Sequence, residues 1–342
     1  MANVAKEAHV ANETGQCGAV RRSLVLHADD FGMNSHVSAG ILRGFSHGLL
    51  TSTAILANAP GVDGALAQWR DLQCRLVHDD LPSLAARRRL ADSPAPFDFG
   101  IHLNLTQGRP LTGEKYPGQL LDSSGKFPGI FGLAARLLAF GRRFCGPIRD
   151  ELSAQIEVLL DFGIAPTHLN SHQYIDLLPT VAASIPGLLR QYAIPVVRVP
   201  WERKLAQTTL LRRLEPANWC LAQVKRIFAF HRLVEVHRRG VPHPAAFFGT
   251  SHAGRIDLDL MQVFVAAAST GVTEIGMHPG ASASTSAALA DADGWYDPLA
   301  AARVGELSLL TSPELVDLLE RHHVRLGRLS HLNCRRAAHA AA

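Results

Sequence analysis

The sequence predicts an α/β fold in which parallel strands close into a barrel, with one helical excursion added to it. Seven short, mostly apolar runs end in polar residues, which is typical of buried parallel strands that deliver polar groups at their carboxyl ends. Segments with helical spacing of apolar residues lie between them. The strand candidates are residues 23–28, 53–58, 99–104, 167–172, 196–199, 273–280 and 325–330, and the clearest helix candidates are 148–162, 180–192 and 258–270.

The order of these segments favours a barrel. Strands that alternate with helices indicate a parallel sheet. Polar residues gather at one end of many strands, as they do on the active face of a (β/α) barrel. No strand is followed by GxGxxG or GxxxxGK[ST], so dinucleotide-binding and P-loop folds lose their main support.

Composition excludes several classes of protein. Of 342 residues, 47% are hydrophobic and 19% charged, which excludes an extended disordered chain. The five cysteines are far apart and form no CxxC pair, which argues against a disulfide framework and a thiolate zinc site and favours a reducing, cytoplasmic compartment. A net charge of +4 is too weak to predict a nucleic-acid partner. Neither a secretory signal nor a membrane-spanning run is recognisable.

We expect one barrel domain over residues 23–332, between a flexible N-terminal tail (1–22) and a C-terminal tail (333–342). One part of it is strongly basic: residues 198–240 hold ten Lys and Arg but three Asp and Glu, a local balance of +7. Apolar residues run through the same stretch, so 203–245 is predicted to be a basic helical insertion. Its helices could touch an anionic membrane through 203–240 or cover a substrate. The alternative is that they pack on the barrel with solvated outer faces.

A group of polar residues at the predicted strand ends suggests metal-dependent hydrolysis. Asp29 and Asp30 follow the first strand, and two adjacent carboxylates require a compensating cation or donor. His102 and His172 end two other strands, and one carboxylate with two imidazoles makes a metal site with open positions. The second carboxylate would then be free to act as a base, and His278 could protonate a departing nitrogen.

Less specific interpretations of the same residues stay open. An Asp pair is common in surface loops and helix caps, and Asp30 could cap a helix beginning near Asn34. With 17 histidines, some fall at strand ends by chance, although His168 could support a metal ligand. A metal-dependent phosphoester hydrolase would use similar groups. A non-catalytic carbohydrate-binding barrel is the third possibility.

Several motifs, in matching order over roughly residues 23–330, resemble those of the YdjC-like family of carbohydrate deacetylases. The most specific are ADDFG and GIHLNLT. They are accompanied by NSHQ, VRVP and EIGMHPG. The five motifs occupy residues 28–32, 100–106, 170–173, 197–200 and 274–280.

This resemblance implies a distorted TIM-like barrel that removes the N-acetyl group from an amino sugar and uses one divalent metal ion, Zn²⁺ or Mg²⁺. By matching position, Asp30, His102 and His172 are expected to be the metal ligands. Asp29 is expected to be the general base. His278 is expected to be the general acid or an oxyanion partner.

The resemblance also concerns substrate and assembly. Arg198 is expected to orient the acid or bind substrate, and Asn104 and Tyr174 are expected to contact substrate. Tyr174 stands where the family often has a histidine. The substrate is expected to be an acetylated oligosaccharide or a glycolipid such as an N-acetylglucosaminyl hopanoid. A homodimer is expected, in the cytoplasm or peripheral at the inner membrane face.

Overall fold

Eight parallel strands form one curled sheet, and helices surround it, in this computed structural model. The structure describes residues 10–11, 17–18, 22–91, 97–202, 216–268, 270–281 and 295–333. Two short strands, β1 (Val10–Ala11) and β2 (Cys17–Gly18), pair with each other ahead of the sheet. The sheet consists of β3 (Arg22–Phe31), β4 (Ser52–Ile55), β5 (Asp98–Leu103), β6 (His168–Ser171), β7 (Val196–Val197), β8 (Ala246–Phe248), β9 (Gly271–Met277) and β10 (Arg325–Leu326).

The α-helices lie mostly between these strands. They are α1 (Ser35–Ser46), α2 (Val62–Val77), α3 (Leu84–Leu90), α4 (Gly129–Phe140), α5 (Cys145–Asp161), α6 (Pro179–Ala182), α7 (Ile185–Gln191), α8 (Pro216–Arg238), α9 (Leu258–Ala267), α10 (Arg303–Leu310) and α11 (Pro313–Arg321). The described residues also form 3₁₀ turns at Gly113–Lys115, Gly118–Leu120, Gly141–Phe144 and His172–Leu177.

The strand order shows a barrel that is nearly closed. Neighbouring strands follow the order β7-β6-β5-β4-β3-β9-β8, and β10 pairs with the start of β3. A single parallel bridge between Glu202, which follows β7, and Phe247 in β8 joins the two edges. The predicted α/β class and distorted TIM-like barrel are therefore confirmed.

Strand β3 is the centre of the sheet and carries the first two predicted site residues to its end. Leu24, Val25, Leu26 and Ala28 are fully buried, as expected of a strand covered on both faces. Pairing with β9 runs along most of β3, while β10 and β4 share its other edge. Any shift in the register of β3 would therefore displace its carboxyl end relative to three neighbours.

Most predicted elements are present, with differences that have local causes. The single helix expected over 180–192 is two short helices, α6 and α7, with Pro186 at the start of the second. Strand β8 was not among the predicted strands. Asn34, not Asp30, caps α1: its side chain accepts a hydrogen bond from the Val37 backbone N–H. The Asp pair is therefore free for another role.

The basic segment is helical over residues 216–238, and residues 239–245 form a turn and a loop. Helix α8 covers 23 residues of it, and residues 203–215 lie outside the described part of the chain. No helix among the described residues combines the length and apolar composition needed to cross a bilayer. The N-terminal residues 1–22 lie largely outside the described part, apart from β1, β2 and Arg22 at the start of β3.

The barrel interior is packed tightly where β3, β5 and β6 meet. The rings of His27 and His168 contact edge to face at a centroid distance of 4.9 Å. A Cβ atom added at Gly100 of β5 would overlap the His168 ring, so no larger residue fits between these strands.

We therefore expect Gly100→Ala to lower the free energy of unfolding by about 1–3 kcal/mol through overpacking. Gly187→Ala in α7, where an added Cβ meets nothing within 4 Å, is the control. It should leave stability unchanged or raise it by up to about 1 kcal/mol through helix propensity. Urea denaturation of the metal-stripped proteins measures both. Equal stabilities for the two variants would show that the interior accommodates the methyl group.

Candidate active site

A cavity of about 330 Å³ opens at the carboxyl ends of the strands and is lined by most of the predicted site residues. Asp29 and Asp30 reach it from β3 and His102 from β5. His172 and His278 reach it from the residues that directly follow β6 and β9. This is the end of a parallel barrel at which active sites are found.

A bulge at the end of β3 lets two adjacent aspartates face the same cavity. Successive side chains of a regular strand point to opposite faces. Between Ala28, which pairs with Thr53, and Phe31, which pairs with Ile55, the register shifts by one residue. Asp30 has a φ of 70°, in the left-handed region. The extra residue re-aims Asp30, and both carboxylates are buried in the site.

Asp30, His102 and His172 form a group that fits a divalent cation. One donor atom from each lies within 4.8 Å of the others, and no further cluster of this kind occurs among the described residues. Oδ1 of Asp30 lies 2.9 Å from Nδ1 of His172 and 3.4 Å from Nε2 of His102. One carboxylate and two imidazoles suit zinc and related divalent ions, and they leave positions for water and substrate.

Asn170 fixes the orientation of the His102 ring. Its amide NH₂ group donates to Oδ1 of Asp29 at 2.9 Å, because a carboxylate only accepts. The amide oxygen of Asn170 therefore faces Nδ1 of His102, 2.8 Å away, and accepts a hydrogen bond from it. With its proton on Nδ1, His102 keeps the lone pair of Nε2 available for an ion held beside Asp30.

Two arginines compensate the adjacent carboxylates. Arg198 donates to both oxygens of Asp29, at 2.9 and 2.7 Å, and Arg303 donates to Oδ2 of Asp30 at 2.7 Å. Burial raises the pKa of each aspartate, but the neighbouring cations and hydrogen bonds outweigh it and hold both pKa values well below the usual range. Both carboxylates are therefore ionised at neutral pH.

Arg198 supports Asp29 and does not line the cavity. The side chain is 2% exposed, and its remaining nitrogens donate to Oε1 of Glu274 at 2.8 and 2.9 Å. Its guanidinium also lies over the ring of Phe247, 5.0 Å from the centroid. Every nitrogen of Arg198 donates to Asp29 or Glu274, and its expected role of orienting the acid or binding substrate stays a prediction.

Asn104 is likewise absent from the cavity wall. Its side-chain oxygen accepts hydrogen bonds from the backbone N–H groups of Thr106 and Gln107, and its NH₂ group donates to the Gln107 carbonyl and to Asn58. These hydrogen bonds fix the conformation of the loop after β5. The expected contact of Asn104 with substrate stays a prediction.

His278 and Tyr174 do face the cavity. Nε2 of His278 lies 3.8 Å from Oδ2 of Asp29. Burial, only partly opposed by the two aspartates, lowers the pKa of His278 to about 4, so the imidazole is neutral at pH 7. Tyr174 follows His172 with a left-handed φ of 60°, and the Lys225 ammonium of α8 lies 4.8 Å from its ring centroid.

Sequence reasoning missed the residues that hold this site together. Arg303, Asp297 and Glu306 lie on segments with no recognised motif, although the Asp pair did require a cation. Lys225 lies in the basic segment that was expected to touch a membrane or cover a substrate. Asn170 carried a signal, since it alternates with His168 and His172 within the motif at 170–173. His168 itself is fully buried beside His27 and is not among the cavity-lining residues.

Comparison with known proteins agrees with this geometry. The model of the YdjC-like protein family matches residues 23–321. The chain belongs to the YdjC-like family. This YdjC-like protein is 28% identical over 327 residues to the human carbohydrate deacetylase, a match that covers 92% of the chain and 93% of the relative. It is 26% identical over 318 residues to the chitooligosaccharide deacetylase of Yersinia enterocolitica, covering 91% and 99%.

Other matches are shorter or more distant. The carbohydrate deacetylase of Geobacillus stearothermophilus is 32% identical over 175 residues, which span 51% of this YdjC-like chain and 59% of the relative. A crystal structure from Enterococcus faecalis superposes with a TM-score of 0.65 at 20% identity, covering 92% and 99% of the two chains. That structural likeness supports the fold.

We expect Asp30→Asn and His102→Gln to weaken zinc binding by at least about 100-fold, because each removes a ligand. Asn170→Ala should weaken it by about 10- to 100-fold by releasing the His102 ring. His78→Gln, an exposed change after α2, is the control and should bind as the wild type does. Competition with a chromophoric chelator measures the affinities. Unchanged affinity in Asp30→Asn would rule out this cluster as the metal site.

Proposed function

We propose that this protein is a metal-dependent hydrolase that removes the N-acetyl group from an acetylated amino sugar and releases acetate. The observation that carries the proposal is the convergence of Asp29, Asp30, His102, His172 and His278 on one cavity of a YdjC-like barrel. Relatives that match over most of the chain are named carbohydrate and chitooligosaccharide deacetylases. The cavity size suits a sugar residue.

Asp30, His102 and His172 would hold one divalent cation, Zn²⁺ or Mg²⁺. When bound, such an ion polarises a carbonyl and lowers the pKa of water. The ionised Asp29 lies beside this group. Arg198 and Asn170 donate hydrogen bonds to its carboxylate and so fix the orientation of that carboxylate in the cavity. In this position it is suited to accept the proton of the attacking water.

The proton balance of the reaction assigns a role to His278. Hydrolysis transfers the water oxygen to the acetyl carbon, breaks the C–N bond and requires a proton on the leaving nitrogen. His278 is neutral at pH 7, since burial lowers its pKa to about 4, so the proton has to reach it during the reaction. Asp29, whose Oδ2 is 3.8 Å from Nε2 of His278, is the nearby source.

The test is acetate release from N-acetylglucosamine oligomers by metal-stripped protein restored with zinc, with magnesium or with neither. Asp29→Asn should lower kcat by about 10²–10⁴-fold, the contribution of a general base, while metal affinity stays. Asp317→Asn, an exposed change on α11, is the control. No acetate release by the wild type under any metal would contradict the proposal. Cleavage of p-nitrophenyl phosphate instead would favour the phosphoester hydrolase.

We further propose a glycolipid as the substrate, in which the acetylated sugar carries a lipid such as a hopanoid. Helix α8 supports this: Lys225 lines the cavity, while the neighbouring Ile227, Phe228 and Phe230 are 62%, 44% and 51% exposed. An apolar surface beside a cavity opening, on a basic helix, suits a lipid tail or an anionic membrane. The homodimer and cytoplasmic location stay predictions, and sedimentation velocity tests the former.

We expect the double variant Ile227→Glu/Phe228→Glu to raise KM for an N-acetylglucosaminyl lipid by about tenfold or more, through lost apolar contact. Its action on a soluble N-acetylglucosamine oligomer should be unchanged. Phe131→Glu on α4, where the side chain is 74% exposed, is a matched control away from the cavity. Equal losses on the lipid and the soluble substrate would overturn the glycolipid proposal.

A further inference from the structure

Helix α10 carries two buried side chains of opposite charge, one turn apart, that both serve the site. Arg303 is 2% exposed and Glu306 is 1% exposed. Positions three apart lie on the same face of a helix, so both side chains point from α10 to the carboxyl ends of the strands. Burying a charged group is costly unless it has partners. Arg303 pairs with carboxylates, whereas burial raises the pKa of Glu306 to about 7 even though backbone N–H groups and Arg303 lower it.

Arg303 donates a hydrogen bond to the expected metal ligand Asp30. Nη2 of Arg303 donates to Asp30 at 2.7 Å and to Asp297 at 3.0 Å, and Nε donates to Asp297 at 2.7 Å. Asp297 therefore fixes the position of the guanidinium beside Asp30. Through Arg303, α10 fixes the position of one expected metal ligand.

Glu306 accepts hydrogen bonds from backbone N–H groups that include the one of His278. Its Oε2 accepts the N–H of His278 at 2.5 Å, and its Oε1 accepts the N–H of Ile256 at 3.2 Å. The carboxylate also accepts a hydrogen bond from the Gly254 backbone. His278 follows β9, whereas Gly254 and Ile256 belong to the connection after β8, so one carboxylate joins two neighbouring loops.

We propose that Glu306 is a positioning residue for His278: by accepting the backbone N–H of His278 it sets where the imidazole stands relative to Asp29 and the leaving nitrogen. Glu306 is absent from the cavity wall and does not contact substrate. The inference rests on the proposed function, because it assigns His278 the delivery of the proton to nitrogen.

The substitution Glu306→Gln separates the hydrogen-bonding role from packing. Glutamine has the same shape but only one accepting oxygen, and its NH₂ group would then face either the His278 or the Ile256 N–H. One buried donor is left without a partner, which displaces that backbone. The neutral side chain keeps the volume of the carboxylate, so a cavity does not form.

The experiment compares two substrates that differ in their need for an acid. Release of an amine from an N-acetylglucosamine oligomer requires protonation of nitrogen, whereas release of p-nitrophenolate from p-nitrophenyl acetate does not. For Glu306→Gln we expect kcat on the amide to fall by about 10- to 100-fold, within the range for a general acid, with KM and zinc affinity unchanged. Hydrolysis of the ester should fall by much less, as in His278→Gln.

Equal losses on the amide and the ester, or no loss on either, would overturn the positioning role. Glu314→Gln, the same chemical change at an exposed position of α11, is the matched control. If Glu306→Gln does not fold, Glu306→Asp replaces it, because the shorter carboxylate still accepts but from a displaced position. Thermal unfolding of each variant establishes that it is folded before rates are compared.

A spectroscopic measurement separates this inference from the proposed function. In ¹⁵N-labelled protein the His278 ring signals are assigned by their loss in His278→Gln. Glu306→Gln should shift them and Glu314→Gln should not. If the wild type releases no acetate, the proposed function fails while the ring signals still decide the positioning role. Unshifted ring signals in Glu306→Gln would overturn the inference whatever the activity.

Discussion

The site depends on placing two adjacent carboxylates, Asp29 and Asp30, in a buried environment while both stay ionised. Like charges so close repel each other, and burial alone would protonate at least one of them. Each has its own guanidinium, Arg198 for Asp29 and Arg303 for Asp30, with N–O distances of 2.7 Å in both pairs. Because Arg198 directly follows β7 and Arg303 begins α10, the chain has to bring distant segments together before either aspartate can function.

Curvature of the sheet makes the first of these pairs possible. Strands β3 and β7 are four places apart in the sheet, so at about 4.8 Å per place a flat sheet would hold them about 19 Å apart. Arg198, directly after β7, nevertheless touches Asp29 of β3 across the barrel end. The bridge from Glu202 to Phe247 joins the two edges. The closed barrel therefore brings to Asp29 the guanidinium that keeps its carboxylate ionised.

The sequence predicts the expected catalytic residues and metal ligands better than it predicts the residues that position them. Asp29, His102 and His278 follow apolar runs, and a polar residue at the end of a buried strand stands out against its neighbours. Arg303 and Glu306 lie in an amphipathic helix, where charged residues usually face solvent. Only the tertiary fold turns that face of α10 toward the barrel, so their local pattern carries no signal.

The charges around the cavity explain why Asp30, His102 and His172 suit a divalent ion. Arg198 faces Asp29 and Glu274, while Arg303 faces Asp30 and Asp297, so each guanidinium is shared by two carboxylates. Burial lowers the pKa of His102, but Asp29 and Asp30 outweigh it and raise that pKa above its usual value. A proton on Nε2 of His102 and a divalent ion compete for the same lone pair. Metal affinity therefore strengthens as pH rises through that pKa, and ion binding expels the proton.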